Sequence, residues 1–296
     1  IIVYAKKNKR KNLLIYSAIN KILNSSNLSA PKLISENYKK NFIEITDFGD
    51  KTIFQNIKKK KNKFSDYKKI VELLLILQKI NKKKIKNFNK KYYKLPKYSL
   101  KILIQESDYF FNWYLPLIFN RKKVNYIKKK YRIKLNTIYK KLKQKNNFFV
   151  HRDFHVSNLM YYKNKICIID SQDALYGNAA YDLASLVDDV RIKTSNNLKN
   201  KILNFYLNKC DKKIQLNLKD FIHDFNILSV QRNLKILGIF ARLFKRDKKN
   251  MYLKLLPYTW KLLDLRMKNN KYFNNIYKEL SRDITNRIKN KRFNEN

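Results

Sequence analysis

The run Phe148–Ala174, FFVHRDFHVSNLMYYKNKICIIDSQDA, decides how the chain reads. The whole sequence has three histidines, and two of them, His151 and His155, fall here. Arg152, Asp153 and Asn158 stand beside them, with Asp170 and Asp173 close behind. A chain carrying 68 Lys and Arg against 22 acids has gathered its rarer side chains in one place. Asp153, on a loop after the strand-like FFV, suits a general base that takes a proton from an attacking hydroxyl. Asn158 follows five positions later with an amide oxygen fit for a hard cation. Asp170 ends the apolar run ICII, which would hold it at a strand tip. One carboxylate and one amide oxygen, completed by phosphate oxygens and water, is a usual way to hold Mg²⁺. The order Asp, Asn and Asp at these spacings is the layout of a phosphoryl-transfer loop. His151 reads as a brace for that loop. His155 is either buried structure or a substrate contact, and His223, on a helix, reads as structural.

On either side of this run the pattern changes character. Before it, IIVYA is strand-like, and apolar residues at helical spacing follow from Asn12 to Leu23 (Leu13, Leu14, Ala18, Ile22). PKLIS and NFIEITDF pair as strands around the charged turn Glu36–Lys40. FSDYKKIVELLLILQKI is an amphipathic helix with Ser65 as its expected N-cap. SLKILIQESDYFFNWYLPLIF is a second, aromatic-rich helix, and VNYIKKKYRIKLNTIYKKLKQ a third with a basic outer face. NLMYY and KICIID form a hairpin closed by Lys163 and Asn164. Beyond Ala179 the chain reads as helical, up to a polar tail from about Asn269 that is expected to fray.

Composition bounds the rest. At 296 residues, 44% hydrophobic and 14% aromatic, the chain can bury one good core or two smaller ones. Three glycines and four prolines leave few tight turns, which favours helices over a barrel of hairpins. The formal charge of +46 comes from lysines spread along the whole chain together with abundant Asn, Ile and Tyr, as an AT-rich genome produces. A nucleic-acid binder needs clustered Arg and Lys with exposed aromatics, so no nucleic-acid partner is expected. Cys167 and Cys210 lie far apart with no CxxC or zinc spacing, which points to a reducing, cytoplasmic compartment. No apolar run approaches the roughly 18 residues that cross a bilayer. The chain opens without Met on strand-like residues, and the expectation is that its natural N-terminus lies upstream.

The central run resembles the aminoglycoside phosphotransferase superfamily, small-molecule kinases that share the protein-kinase fold and carry His-x-Asp-x-x-x-x-Asn, a short hairpin and Ile-Asp. Within it, VHRDFHVSNLMY and IIDSQDALYGNAAYDLASLVDDVR are similar to the anomeric sugar kinases of cell-wall recycling, the N-acetylmuramate/N-acetylglucosamine kinases. Their second motif runs Ile-Asp-Phe-Gln-Asp-Ala, and here it is Ile-Asp-Ser-Gln-Asp-Ala. QRNLKILGIFARLFKRD and ESDYFFNWYLP look like the same group. The resemblance covers most of the chain, from about Ile1 to Leu265.

That resemblance implies an α+β, bilobal protein-kinase-like fold with a small, truncated β-containing N-lobe and a large helical C-lobe. The expected divisions are 1–49 for the N-lobe with its hinge and 50–296 for the C-lobe, with a catalytic loop at 151–158 and a metal-binding hairpin end at 170–173. It implies ATP and Mg²⁺, with Asp153 as catalytic base and Asn158 and Asp170 on the metal. Asp182 would brace the catalytic loop, and Thr46 and Asp47 would meet the adenine. Lys6 is the nearest candidate for the lysine on the α/β-phosphates. Gln172, Asp173 and Arg191 could support the loop or touch the sugar. The Asp47-Phe48-Gly49 triplet precedes the catalytic loop, so it is not the metal motif it spells. Two departures stand out: there is no Gly-rich phosphate loop, and Asn12–Asn24 contains no acid to pair the lysine.

The implied reaction is ATP-dependent phosphorylation of the anomeric hydroxyl of an amino sugar. Trp113, Tyr114 and Trp260 could stack on a sugar face, or simply pack the core. The positive field draws in a carboxylate-bearing sugar such as N-acetylmuramate and opposes a polycationic aminoglycoside. Aminoglycoside, choline and homoserine-type kinases, a pseudokinase and a basic nucleic-acid binder remain the alternatives.

Overall fold

The computed structural model describes residues 1–268 and 270–290. The first part runs β1 (Ile2–Tyr4), α1 (Lys11–Asn24), β2 (Leu33–Asn37), β3 (Phe42–Ile45), α2 (Ile53–Lys59), α3 (Phe64–Gln78), β4 (Lys84–Lys86) and β5 (Tyr92–Lys94). α4 (Leu100–Tyr109) and α5 (Arg121–Tyr139) follow. Four short strands come next: β6 (Phe148–Val150), β7 (Leu159–Tyr162), β8 (Lys165–Ile168) and β9 (Leu175–Gly177). Six helices close the described chain: α6 (Ala180–Val187), α7 (Asn196–Lys209), α8 (Lys212–Gln215), α9 (Leu218–Lys245), α10 (Leu256–Met267) and α11 (Asn274–Asn290). The chain divides into two compact units, Ile1–Tyr98 with Gln144–Leu218, and Ser99–Lys143 with Lys219–Asn296.

The first unit contains every strand among the described residues. β3 is the centre of an antiparallel sheet ordered β1-β3-β2, in register Val3↔Ile43 on one side and Glu36↔Ile43 on the other. It buries Ile43 and Ile45 and leaves Phe42 and Glu44 half-buried, the period-two signature of a sheet with one covered face. Leu13 of α1 joins those two isoleucines, with Val3, Ala5, Tyr16 and Phe88 packed against them. This seats α1 on the sheet. The β7–β8 hairpin turns through Lys163 and Asn164, with φ of 46° and 59°. Two consecutive left-handed residues give the turn twist that matches paired strands. The hairpin is stitched to two distant segments: Ile168 N–H donates to the Ser29 carbonyl (2.8 Å) and Tyr161 N–H to that of Lys51 (2.9 Å). Thr52 then starts α2 with a reciprocal capping box to Gln55. α6 is buried along its whole length.

The second unit is helical. At Gly238 of α9 an added Cβ would sit 2.1 Å from the Tyr109 carbonyl carbon, so only glycine lets α9 approach the end of α4 this closely. Glu106 of α4 is buried and meets Lys235 (3.2 Å) and Gln231 (2.8 Å) of α9.

Several sequence expectations need correcting. The aromatic-rich helix is not continuous: α4 loosens into a π-helical turn at Phe110–Tyr114 and a 3₁₀ turn at Leu115–Leu117, where Pro116 cannot continue an α-helical ladder. Ser65 is not an N-cap, because α3 starts one residue earlier and the Asn62 side chain accepts from Phe64 N–H (3.2 Å). For Tyr114 and Trp260 the core-packing alternative holds: they are buried and stack on each other at 6.1 Å. The polar tail carries α11, whose Ile276, Leu280 and Ile284 are buried at a spacing of four. Its Glu279 accepts from Tyr131 and pairs with Lys130 (2.7 Å), which pulls its carboxyl down to about 2.

Candidate active site

The loop after β6 is fixed by buried carboxylates. Asp182, buried in α6, accepts from His151 N–H (2.6 Å) with one oxygen and from Arg152 N–H (3.0 Å) with the other. Arg152 sits at φ 74°, and these two bonds are what hold that left-handed turn in place. Asp189 does the same further on, accepting from Val156 N–H (3.3 Å) while Arg191 Nη1 holds its second oxygen (3.3 Å). Asp153, half-buried between these anchors, has a carbonyl that accepts from His155 N–H (3.1 Å) and from Asn158 Nδ2 (3.0 Å). His155 is buried.

His151 ties this loop to the end of the hairpin. Its Nε2 lies 3.0 Å from the Ile169 carbonyl, which can only accept, so Nε2 carries the ring proton. Burial pushes its pKa down, against the opposing pull of Asp153, Asp170 and Asp173, which favours the neutral ring. Ile169 N–H in turn donates to the Asn158 carbonyl (3.0 Å). Asp170 follows with φ 61°, its carboxylate exposed and one oxygen accepting from Gln172 Nε2 (2.8 Å). Asp173 is exposed, and its backbone carbonyl and carboxylate both face Arg152 Nη1, at 3.3 and 3.7 Å.

Asn158 and Asp170 line one cavity of about 700 Å³. Lys6, Thr46 and Gln172 line it too, so five residues singled out in the sequence meet at one hollow. Lys6 lies past the end of β1, which stops at Tyr4. Thr46 N–H is taken by the Lys32 carbonyl (2.9 Å), and the Asp47 carboxylate caps Gly49 N–H (2.7 Å). Phe48 and Gly49 complete that edge of the wall. The sequence reading missed Lys9, Asn12 and Tyr16, which α1 and the turn before it bring to the same cavity. It also missed Asp189 as a brace; the only signal was the Asp188-Asp189 pair in a basic chain.

The donor set fits a magnesium ion shared with phosphate. Among the described residues no three His, Cys, Asp or Glu side chains converge to cage a metal. Asn158 and Asp170, an amide and a carboxylate, line the same hollow, and the Asn158 amide nitrogen donates to the Asp153 carbonyl, which leaves the amide oxygen as the atom that could ligate. Two such oxygens, with phosphate and water filling the other positions, satisfy Mg²⁺.

The model of the family described as "Phosphotransferase enzyme family" matches residues 26–214. An N-acetylmuramate/N-acetylglucosamine kinase of Neisseria meningitidis serogroup B is 26% identical over 251 residues, 82% of this chain and 71% of that one. A kinase of the same name from Pseudomonas aeruginosa is 24% identical over 246 residues, 82% and 70% of the two chains. Among solved structures, choline kinase LicA from Streptococcus pneumoniae superposes with a TM-score of 0.58 at 13% identity, covering 89% of this chain and 85% of that chain. The ADP-bound aminoglycoside phosphotransferase APH(2'')-Ib superposes with a TM-score of 0.56 at 13% identity, covering 90% and 86%. At that identity the structures speak for the fold alone, and the fold is the α+β, protein-kinase-like one.

Proposed function

The chain belongs to the phosphotransferase enzyme family, and within that family we propose that it moves the γ-phosphoryl group of ATP to the anomeric hydroxyl of an amino sugar, N-acetylmuramate or N-acetylglucosamine. The observation that carries this reading is the meeting of Lys6, Thr46, Asn158 and Asp170 at one cavity, with Asn158 bonded to the backbone of Asp153. The names of the relatives at 24–26% identity support the sugar. The Ile-Asp-Ser-Gln-Asp-Ala run supports it again, because it departs from those kinases' motif at one position.

In this reading Asp153 accepts the proton of the acceptor hydroxyl as that oxygen attacks the γ-phosphorus. The new P–O bond forms as the bond to the β-phosphate bridging oxygen breaks, and ADP leaves. Asn158 and Asp170 hold Mg²⁺, which when bound neutralises charge on the phosphate oxygens. Lys6 and Lys9, on the cavity wall, draw the polyphosphate in, with no acid on α1 to compete for them. Thr46 to Gly49 form the edge where the adenine rests. His151, Asp182 and Arg191 act through the loop by fixing its backbone. An ATP-using kinase of this kind works in the cytoplasm.

A panel assay tests the acceptor. ADP release is measured with N-acetylmuramate, N-acetylglucosamine, kanamycin and choline in turn. The proposal expects turnover on an amino sugar and little on the two cations. Strong turnover on kanamycin with none on either sugar would reverse it.

A further inference from the structure

We propose that Asn20 and Ser171 are a positioning pair that holds Asp170 in its metal-binding pose, and that this pair couples α1 to the metal site. The inference rests on the reading of Asp170 just given. Asp170 adopts φ 61°, a left-handed conformation that is uncommon for a non-glycine residue and is helped by local hydrogen bonds. Most of the bonds that help it come from nearby in sequence: Ile169 is held by Asn158 and His151, and Gln172 reaches back to the carboxylate. Ser171 supplies the long-range one. Its Oγ donates to Asn20 Oδ1 of α1 at 2.6 Å, across 151 residues of sequence. Both side chains are buried, at 0% and 2% exposure, so water cannot substitute for either.

Three features of this chain converge on that bond. Ser171 is the position at which the sequence departs from the Ile-Asp-Phe-Gln-Asp-Ala run of the sugar kinases it resembles. α1 contains no acid, so no ion pair with a cavity lysine can fix the helix from its own side. One turn before Asn20, Tyr16 lines the cavity together with Asp170, so α1 shares a wall with the carboxylate that the pair restrains. A neutral hydrogen bond between α1 and the residue after Asp170 does what a charged contact would do: it lets the helix and the metal ligand occupy one joint arrangement.

Ser171→Thr and Ser171→Val test this directly, because they add the same bulk and differ only in the hydroxyl. Two readouts are taken, Mg·ADP affinity by calorimetry and amide hydrogen exchange over Ile169–Asp173. Val is expected to bind Mg·ADP about tenfold more weakly than Thr and to exchange faster over the segment, with the loss set by a buried acceptor left without its donor. Asn20→Leu is expected to match Ser171→Val, and the double variant to be no worse than either. Equal affinity and equal exchange in Thr and Val would overturn the pair. A wild type that binds no Mg·ADP, with the exchange difference between Thr and Val intact, would contradict the kinase reading and leave the tie between α1 and the loop standing.

Discussion

The side-chain amide of Asn158 donates to the backbone carbonyl of Asp153 at 3.0 Å. A residue proposed to hold the metal thus also clamps the residue proposed to take the proton. Asn158→Ala removes both the ligand oxygen and the clamp. Turnover is expected to drop by about two orders of magnitude, the scale of losing one well-placed transition-state contact. The fold should survive, because Asn158 is only half-buried. Steady-state kinetics beside a thermal melt separate the two effects.

Asp182 carries the left-handed turn at Arg152 through bonds of 2.6 and 3.0 Å to two successive N–H groups. Asp182→Ala leaves both donors without their partner in a buried place. The expected cost is about 2–4 kcal/mol of stability, with activity falling even where the chain still folds. Denaturant unfolding followed at several temperatures checks it.

Stability should decline as pH falls through the range set by His151. Burial lowers its folded pKa beneath the ordinary 6.5. Below 6.5 the unfolded chain takes up a proton that the folded chain refuses, so protons favour unfolding; above it the group contributes nothing. His151→Gln, which keeps a donor for Ile169, should flatten this part of the stability–pH curve in denaturant titrations.

Arg232 of α9 is 3% exposed, and its Nε and Nη1 have no hydrogen-bond partner among the described residues. Its neighbours Gln231 and Lys235 already use Glu106. A buried guanidinium with two N–H groups left unpaired costs stability in the state that buries it. Arg232→Met, similar in length and uncharged, is expected to raise stability by about 1–3 kcal/mol. Chemical denaturation of both proteins reads the difference, and a destabilised variant would show that the guanidinium has a partner in solution.

How much of this the sequence disclosed depended on whether the signal was local. Asp153, Asn158 and Asp170 could be singled out as candidates because they fall within 18 residues, on a loop, a hairpin and a strand tip. The Lys163-Asn164 turn was legible for the same reason. Asn20 was not: in α1 it sits among apolar residues at helical spacing, and only the fold brings Ser171 to it. Lys9 and Asn12 were hidden likewise, since nothing local marks which side of a turn faces a cavity. β6 was readable as the strand-like FFV, but its partner β9 is three residues long and pairs with it across a long gap, too short for an alternation pattern to register. α11 was concealed by its polar composition, although Ile276, Leu280 and Ile284 held the stripe. Tyr114 and Trp260 could be read either as a sugar platform or as core, because residue type cannot separate a stacking surface from a core; the fold makes them core.

The central claim is phosphoryl transfer to an anomeric oxygen with Asp153 as base. Phosphorus NMR of the wild-type chain with ATP, Mg²⁺ and N-acetylmuramate tests it most directly, with Asp153→Asn run in parallel. The account predicts a new phosphomonoester resonance coupled to the anomeric proton, growing as ATP converts to ADP, and absent with Asp153→Asn over the same time. An ester coupled to any other sugar proton, or undiminished product from Asp153→Asn, would contradict it.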